Sequence, residues 1–173
     1  MKMLEELKDE LFGANWITLE QAELTKAKNE IYCALFKLEF FLSTPINQNA
    51  SCIINITAVD RYRLYVNGQP VCSGPCKGDR FNRYYETLDI LHYLKEGENQ
   101  ILARVVVFPT RNSMTRATMN SYAPSMAHGP YSVMTAGTPP LLLLQGGLCC
   151  DGQELVSFST DCVAWQSIFE NGL

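Results

Sequence analysis

The stretch "YRLYVNGQPVCSGP", Tyr62 to Pro75, decides how the chain is read. Tyr62, Leu64 and Val66 alternate with Arg61, Arg63, Tyr65 and Asn67, the two-residue period of a strand with one dry and one wet face. Asn67-Gly68 then supplies the pair that best tolerates positive φ at both centres of a type I′ turn, and Val71 restarts a strand on the return. Gly74-Pro75 redirects the chain a second time. The segment reads as a hairpin with one packed face, and its polar face carries the first candidate binding residues.

Working outward, "SCIINITAV" alternates Cys52, Ile54, Ile56 and Ala58 with Ile53, Asn55 and Thr57. Asp60 interrupts the run before Arg61, so two strands or one bent strand are expected. "EIYCALFKLEFFL", Glu30 to Leu42, is a longer aromatic-rich strand closed by Pro45, and "NWITL", Asn15 to Leu19, a short one. Residues 1–13 are charged and amphipathic, with Leu4, Leu7 and Leu11 on one face of a short helix. Downstream, Asp89 has the chemistry of an N-cap, Ile90 to Glu96 of a two-turn helix, and Gly97 of its C′ residue. Ile101 to Phe108 is apolar enough for a central strand. Residues 109–140 are dense in Ser, Thr, Met, Gly and Pro without a period, a loop longer than compact domains usually carry. "PLLLLQGGLCCDGQELVSF" returns to strand, turn and strand, with Asp151-Gly152 as a second tight turn. Eight or nine strands joined mostly by short turns predict an all-β chain folded as an antiparallel two-sheet sandwich over residues 14–173, with one or two short helices.

Composition narrows the function. The 173 residues carry a formal charge of -4 and no basic cluster, which argues against nucleic-acid binding. The longest aliphatic run, Leu141 to Leu144, is far too short to cross a bilayer, so no membrane role is expected. The opening residues are not a signal peptide, and seven cysteines are an odd number, so reduced thiols and a cytoplasmic location are expected. Cys72 and Cys76 lack a second ligand pair, and His92 and His128 stand alone. No metal site and no cofactor are expected.

With these elements in order, the chain resembles the N-terminal β-sandwich domain of bacterial α-L-rhamnosidases, glycoside hydrolase family 78. The resemblance rests on Trp16-Ile17, Phe36-Lys37, Tyr62 to Gly68, Gly74-Pro75, Tyr84 to Asp89, Leu94 to Asn99, Pro140 to Gln145, Asp151-Gly152, and Thr160-Asp161 followed by Trp165. It runs from about Ala14 to Gln166, and Asn67 to Asn99 is its most specific part. Cys162-Val163-Ala164 departs from the usual spacing before the tryptophan. The resemblance implies a galactose-binding-like jelly roll. It also implies that hydrolysis belongs to a separate helical barrel with paired carboxylic acids, so the chain itself is expected not to be an enzyme. The implied partners are the catalytic and other domains of a parent hydrolase.

For a saccharide site, aromatic and planar polar side chains are the candidates: Arg63, Tyr65 and Asn67 on the hairpin, Arg83 and Tyr84 beyond it, and Tyr122 in the long loop. Asp79, Arg80 and Tyr131 are near enough in sequence to join them. Each has a plainer role available. Tyr65 and Tyr84 suit cross-strand packing, Asn67 serves its own turn, and arginine stems cover apolar surface. Trp16 and Trp165 suit core or edge packing. The sequence therefore favours an accessory sandwich that packs against a catalytic barrel, with a module recognising rhamnose or related sugars as the alternative.

Overall fold

A computed structural model describes residues 14–20, 32–43, 45–46, 48–59, 61–76, 84–107, 139–161 and 165–170. Among these lie ten strands: β1 (Ile17–Thr18), β2 (Tyr32–Leu42), β3 (Ala50–Val59), β4 (Arg61–Val66), β5 (Gln69–Gly74), β6 (Glu86–Asp89), β7 (Gly97–Val107), β8 (Leu141–Cys150), β9 (Gln153–Ser157) and β10 (Gln166–Glu170). One sheet has the order β1-β8-β3-β6, with β9 also paired to β8, and the other the order β10-β2-β7-β4-β5. All strand pairings among the described residues are antiparallel, as the alternating patterns require.

Between the sheets lies the core. Phe36, Leu38, Leu64, Val66, Ile101 and Val105 come from one side, and Cys52, Ile54, Ile56, Leu142 and Leu144 from the other. Each fully buried aliphatic or aromatic side chain stabilises by about 1.5–3 kcal/mol relative to exposure. The interruption at Asp60 separates two strands that sit in opposite sheets, β3 and β4. The leucine run of β8 is continuous because both of its faces are covered. Leu142 and Leu144 point into the sandwich, while Leu141 and Leu143 pack outside it with Ala14, Trp16 and Val59. Trp16 is thus buried, and Trp165 packs against the main core with its indole N–H donating to the Phe158 carbonyl at 3.1 Å.

The expected two-turn helix at Ile90 to Glu96 is instead a single 3₁₀ turn, Leu91–Tyr93, followed by extended backbone at Leu94. Two contacts outside the segment explain this. The Ile90 N–H donates to the Cys52 carbonyl at 2.9 Å, tying the start of the turn to β3. Asn99 then takes the backbone groups a second helical turn would use: it accepts from the Lys95 N–H at 3.0 Å and donates to the Lys95 and Gly97 carbonyls at 2.6 and 3.0 Å. Asp89 still accepts from the Leu91 N–H at 2.9 Å, and Gly97 has the expected positive φ of 89°. The expected helix over residues 1–13 and the long loop at 109–140 lie outside the described residues apart from Pro139 and Pro140.

Candidate functional site

The β4–β5 hairpin turns as its sequence requires, with φ of 50° at Asn67 and 78° at Gly68. The Asn67 side chain does more than serve that turn. The Asn67 backbone N–H donates to the Gln100 carbonyl at 2.9 Å, and its side-chain Oδ1 accepts from the Gln100 N–H at 2.9 Å. The side-chain oxygen stands in for the strand carbonyl that the turning chain no longer presents, so the β4–β7 ladder gains one more pair. The Nδ2 donates to the Tyr93 carbonyl at 2.9 Å and to Asn99 Oδ1 at 2.8 Å. Asn99, 3% exposed, has both ends of its amide engaged.

This locked amide pair lines an open cleft of about 630 Å³ at the end of the sheet where β2 stops and β7 begins. Phe40 lines it too, and its ring packs on Phe158 with centroids 4.6 Å apart. Among the described residues, Glu39, Phe41, Lys95, Glu98 and Gln100 line it as well. Register brings these residues together: Glu39 pairs with Gln100, Phe40 with Asn99, and Phe41 with Glu98. Phe41 is 66% exposed. Gln100 Nε2 donates to Glu39 Oε1 at 3.3 Å, and Lys37 Nζ lies 3.1 Å from Glu39 Oε2. Donation first from Lys37 and then from Gln100 holds the Glu39 carboxyl below the ordinary glutamate value.

Of the expected residues that the structure describes, only Asn67 lines the cleft. Arg63 is exposed and Tyr65 half-buried on the outward side of β4. Tyr84 is 55% exposed beside the edge strand of the other sheet, where its carbonyl accepts from Thr57 Oγ1 at 2.7 Å. Glu86, two residues on, reaches the opposite end of β4 from Asn67, so the structure does not bring Tyr84 and Asn67 together. Arg83, Tyr122, Asp79, Arg80 and Tyr131 lie outside the described residues. Sequence reasoning passed over Phe41, Glu39, Lys95, Glu98 and Gln100. A signal was present: in "EFFL" two consecutive aromatics share a strand, so one of them must face outward.

A second polar cluster sits between the sheets. The buried Tyr62 hydroxyl donates to Glu86 Oε2 at 2.6 Å and lies 3.5 Å from Cys72 Sγ, and the Cys76 N–H donates to Glu86 Oε1 at 2.8 Å. Burial, then the hydrogen bonds with Cys72 and Glu86, push the Tyr62 phenol well above its ordinary value. This cluster ties β6 to the base of the hairpin. Among the described residues, no group of three or more His, Cys, Asp or Glu is placed to hold a metal ion. None of the described helices is long and apolar enough to cross a membrane.

No protein-family model matches the sequence, and no curated protein matches it. Solved structures do match in fold. Four α-L-rhamnosidases superpose with TM-scores from 0.53 to 0.62 over 79–94% of this chain. The glycoside hydrolase family 78 rhamnosidase of Bacillus sp. GL1 is 22% identical, with a TM-score of 0.58 over 91% of this chain and 13% of its own. The Streptomyces avermitilis α-L-rhamnosidase, determined with L-rhamnose, is 14% identical, with a TM-score of 0.55 over 94% of this chain and 13% of its own. A lectin from Pleurotus ostreatus in complex with GalNAc is 20% identical, with a TM-score of 0.51 over 91% of this chain and 35% of its own. This chain spans only 13–17% of the length of the four rhamnosidases. Its fold is that of one β-sandwich domain within such larger proteins.

Proposed function

We propose that this chain is a non-catalytic accessory β-sandwich module of an α-L-rhamnosidase-like glycoside hydrolase, packing against a catalytic barrel encoded outside it. The observation that carries this reading is coverage: nearly the whole chain matches rhamnosidases of which it makes up 13–17%. An antibody raised against the chain should detect, in extracts of the source cells, a polypeptide of rhamnosidase size. A native band near 19.5 kDa would overturn the reading. So would release of nitrophenol from p-nitrophenyl α-L-rhamnopyranoside by the purified chain, if Glu39→Gln or Glu98→Gln abolished it. The site of action is proposed to be the cytoplasm, on the reduced state expected for seven cysteines, and cell fractionation tests it.

A second reading, that the module itself binds sugar, is favoured by the cleft with its exposed Phe41 and by the fold shared with a lectin solved with GalNAc. Calorimetric titration of the purified chain with L-rhamnose and N-acetylgalactosamine decides it. Saturable heat supports binding, and none at tens of millimolar rejects it.

A further inference from the structure

We propose that the cleft between the ends of β2 and β7 holds one neutral pyranose ring, with the ring's apolar face on Phe41 and its hydroxyls on Glu39, Glu98 and Lys95. This rests on the sugar-binding reading above and locates its site away from the aromatic and arginine residues that the sequence singles out.

Size comes first. About 630 Å³ falls within the range of roughly 300–1,000 Å³ of small-molecule sites and leaves room for a mono- or disaccharide. Chemistry comes second. Phe41 presents a bare aromatic face, 66% exposed, directly opposite Glu98 in the β2–β7 ladder. An aromatic face beside carboxylates suits a ligand that is apolar on one side and rimmed with hydroxyl donors on the other, which describes a pyranose. Glu39 is fixed by Lys37 and Gln100, one bond to each oxygen, so each oxygen keeps a lone pair for a sugar hydroxyl. The Glu98 carboxylate and the Lys95 ammonium have no partner among the described residues, so both are available, the one to accept and the other to donate.

Charge comes third. The two carboxylates are matched by two ammonium groups, Lys95 in the lining and Lys37 at 3.1 Å from Glu39. The cleft therefore has no net positive charge to draw a uronic acid or a sugar phosphate in preference to a neutral sugar. Rigidity comes last. Asn67 and Asn99 spend their amide groups on each other and on the backbone of Tyr93, Lys95, Gly97 and Gln100. They are a floor and not ligands. Because they are already locked, binding orders little of the protein beyond the rim side chains.

The test uses the full chain, ¹⁵N-labelled and titrated with methyl α-L-rhamnopyranoside and with N-acetylgalactosamine, followed by calorimetry on variants. The expected result is saturable shifts of the backbone amides of Phe41, Glu98 and Gln100. Phe41→Ala should weaken affinity about tenfold or more, and Glu98→Gln by a smaller factor, both with unchanged melting temperatures. Phe41 is exposed, so its truncation leaves the fold intact. Binding that survives Phe41→Ala, or falls only with Tyr84→Ala, overturns this site while the sugar-binding reading stands. Absence of any binding by the unaltered chain removes both. Tighter binding of glucuronate than of the neutral sugars overturns the assignment to a neutral ring.

Discussion

Two hairpins of this sandwich turn on nearly the same backbone: φ is 50° and 78° at Asn67-Gly68, and 50° and 79° at Asp151-Gly152. Their first residues live differently. Asn67 is half-buried and bonds through its side chain to Tyr93, Asn99 and Gln100, residues from a separate part of the chain. Asp151 is exposed and meets Asn49 Nδ2 at 2.6 Å and the neighbouring Cys150 thiol at 3.4 Å. The dipeptide sets the turn, and the surroundings decide whether its side chain matters to the rest of the fold. The largest test is Asn67→Gly, which keeps the positive φ and removes only the side chain. It strands the Gln100 N–H and withdraws a donor from the buried Asn99, so a loss of about 2–4 kcal/mol is expected. For a domain of this length that lowers the melting temperature by about 5–15 °C. A loss below about 0.5 kcal/mol would show that the amide floor of the cleft is not a fixed structure.

The base of the same hairpin makes the next comparison, because Tyr62 anchors it to β6 as Asn67 anchors its tip to β7. Tyr62→Phe leaves Glu86 without its hydroxyl donor and should cost about 1–2 kcal/mol at neutral pH. The pH dependence has a definite sign. Burial and its two partners raise the folded Tyr62 phenol above its unfolded value near 10. Its contribution is therefore complete below that value and fades as pH rises beyond it, because the unfolded chain ionises first. Cys52, pushed up to about 12 chiefly by burial, adds the same trend from pH 9 upward. Melting temperatures measured from pH 7 to 11 should fall at the alkaline end, and fall less steeply in Tyr62→Phe. An identical slope in the two proteins would remove Tyr62 from the account.

What could be read in the sequence divides along the same line. The hairpins and strands were legible because their signals are local: alternation in Tyr62 to Val66, Asx-Gly at each turn, and the apolar run in β8. The stretch Ile90 to Glu96 carried equally local helix signals and still became one 3₁₀ turn, because Asn99 and Cys52 bond its backbone from outside. The candidate site was less legible. Asn67 was picked out as a residue, yet the structure uses it as support. Phe41 and Glu98 become neighbours only through the register of β2 on β7, which no short stretch of sequence specifies.

The smaller effects sharpen the turn comparison itself. A Cβ added at Gly68 or at Gly152 meets nothing within 4 Å, so alanine at either position costs only the strain of a left-handed backbone. That is about 1 kcal/mol, and it should be equal at the two sites. If denaturant melts separate them by more than about 0.5 kcal/mol, then the turns differ in backbone as well as in side-chain partners. Smallest of all is Asp151→Gly. Its carboxylate has a short contact to Asn49, but both residues are exposed, so water replaces the lost bond on each side. The expected change lies within about 0.5 kcal/mol of zero, against the several lost at Asn67. A loss as large as that of Asn67→Gly would mean that the turn dipeptide, and not the cross-strand network, carries the energy at both ends. The cleft floor would then have no special claim to rigidity.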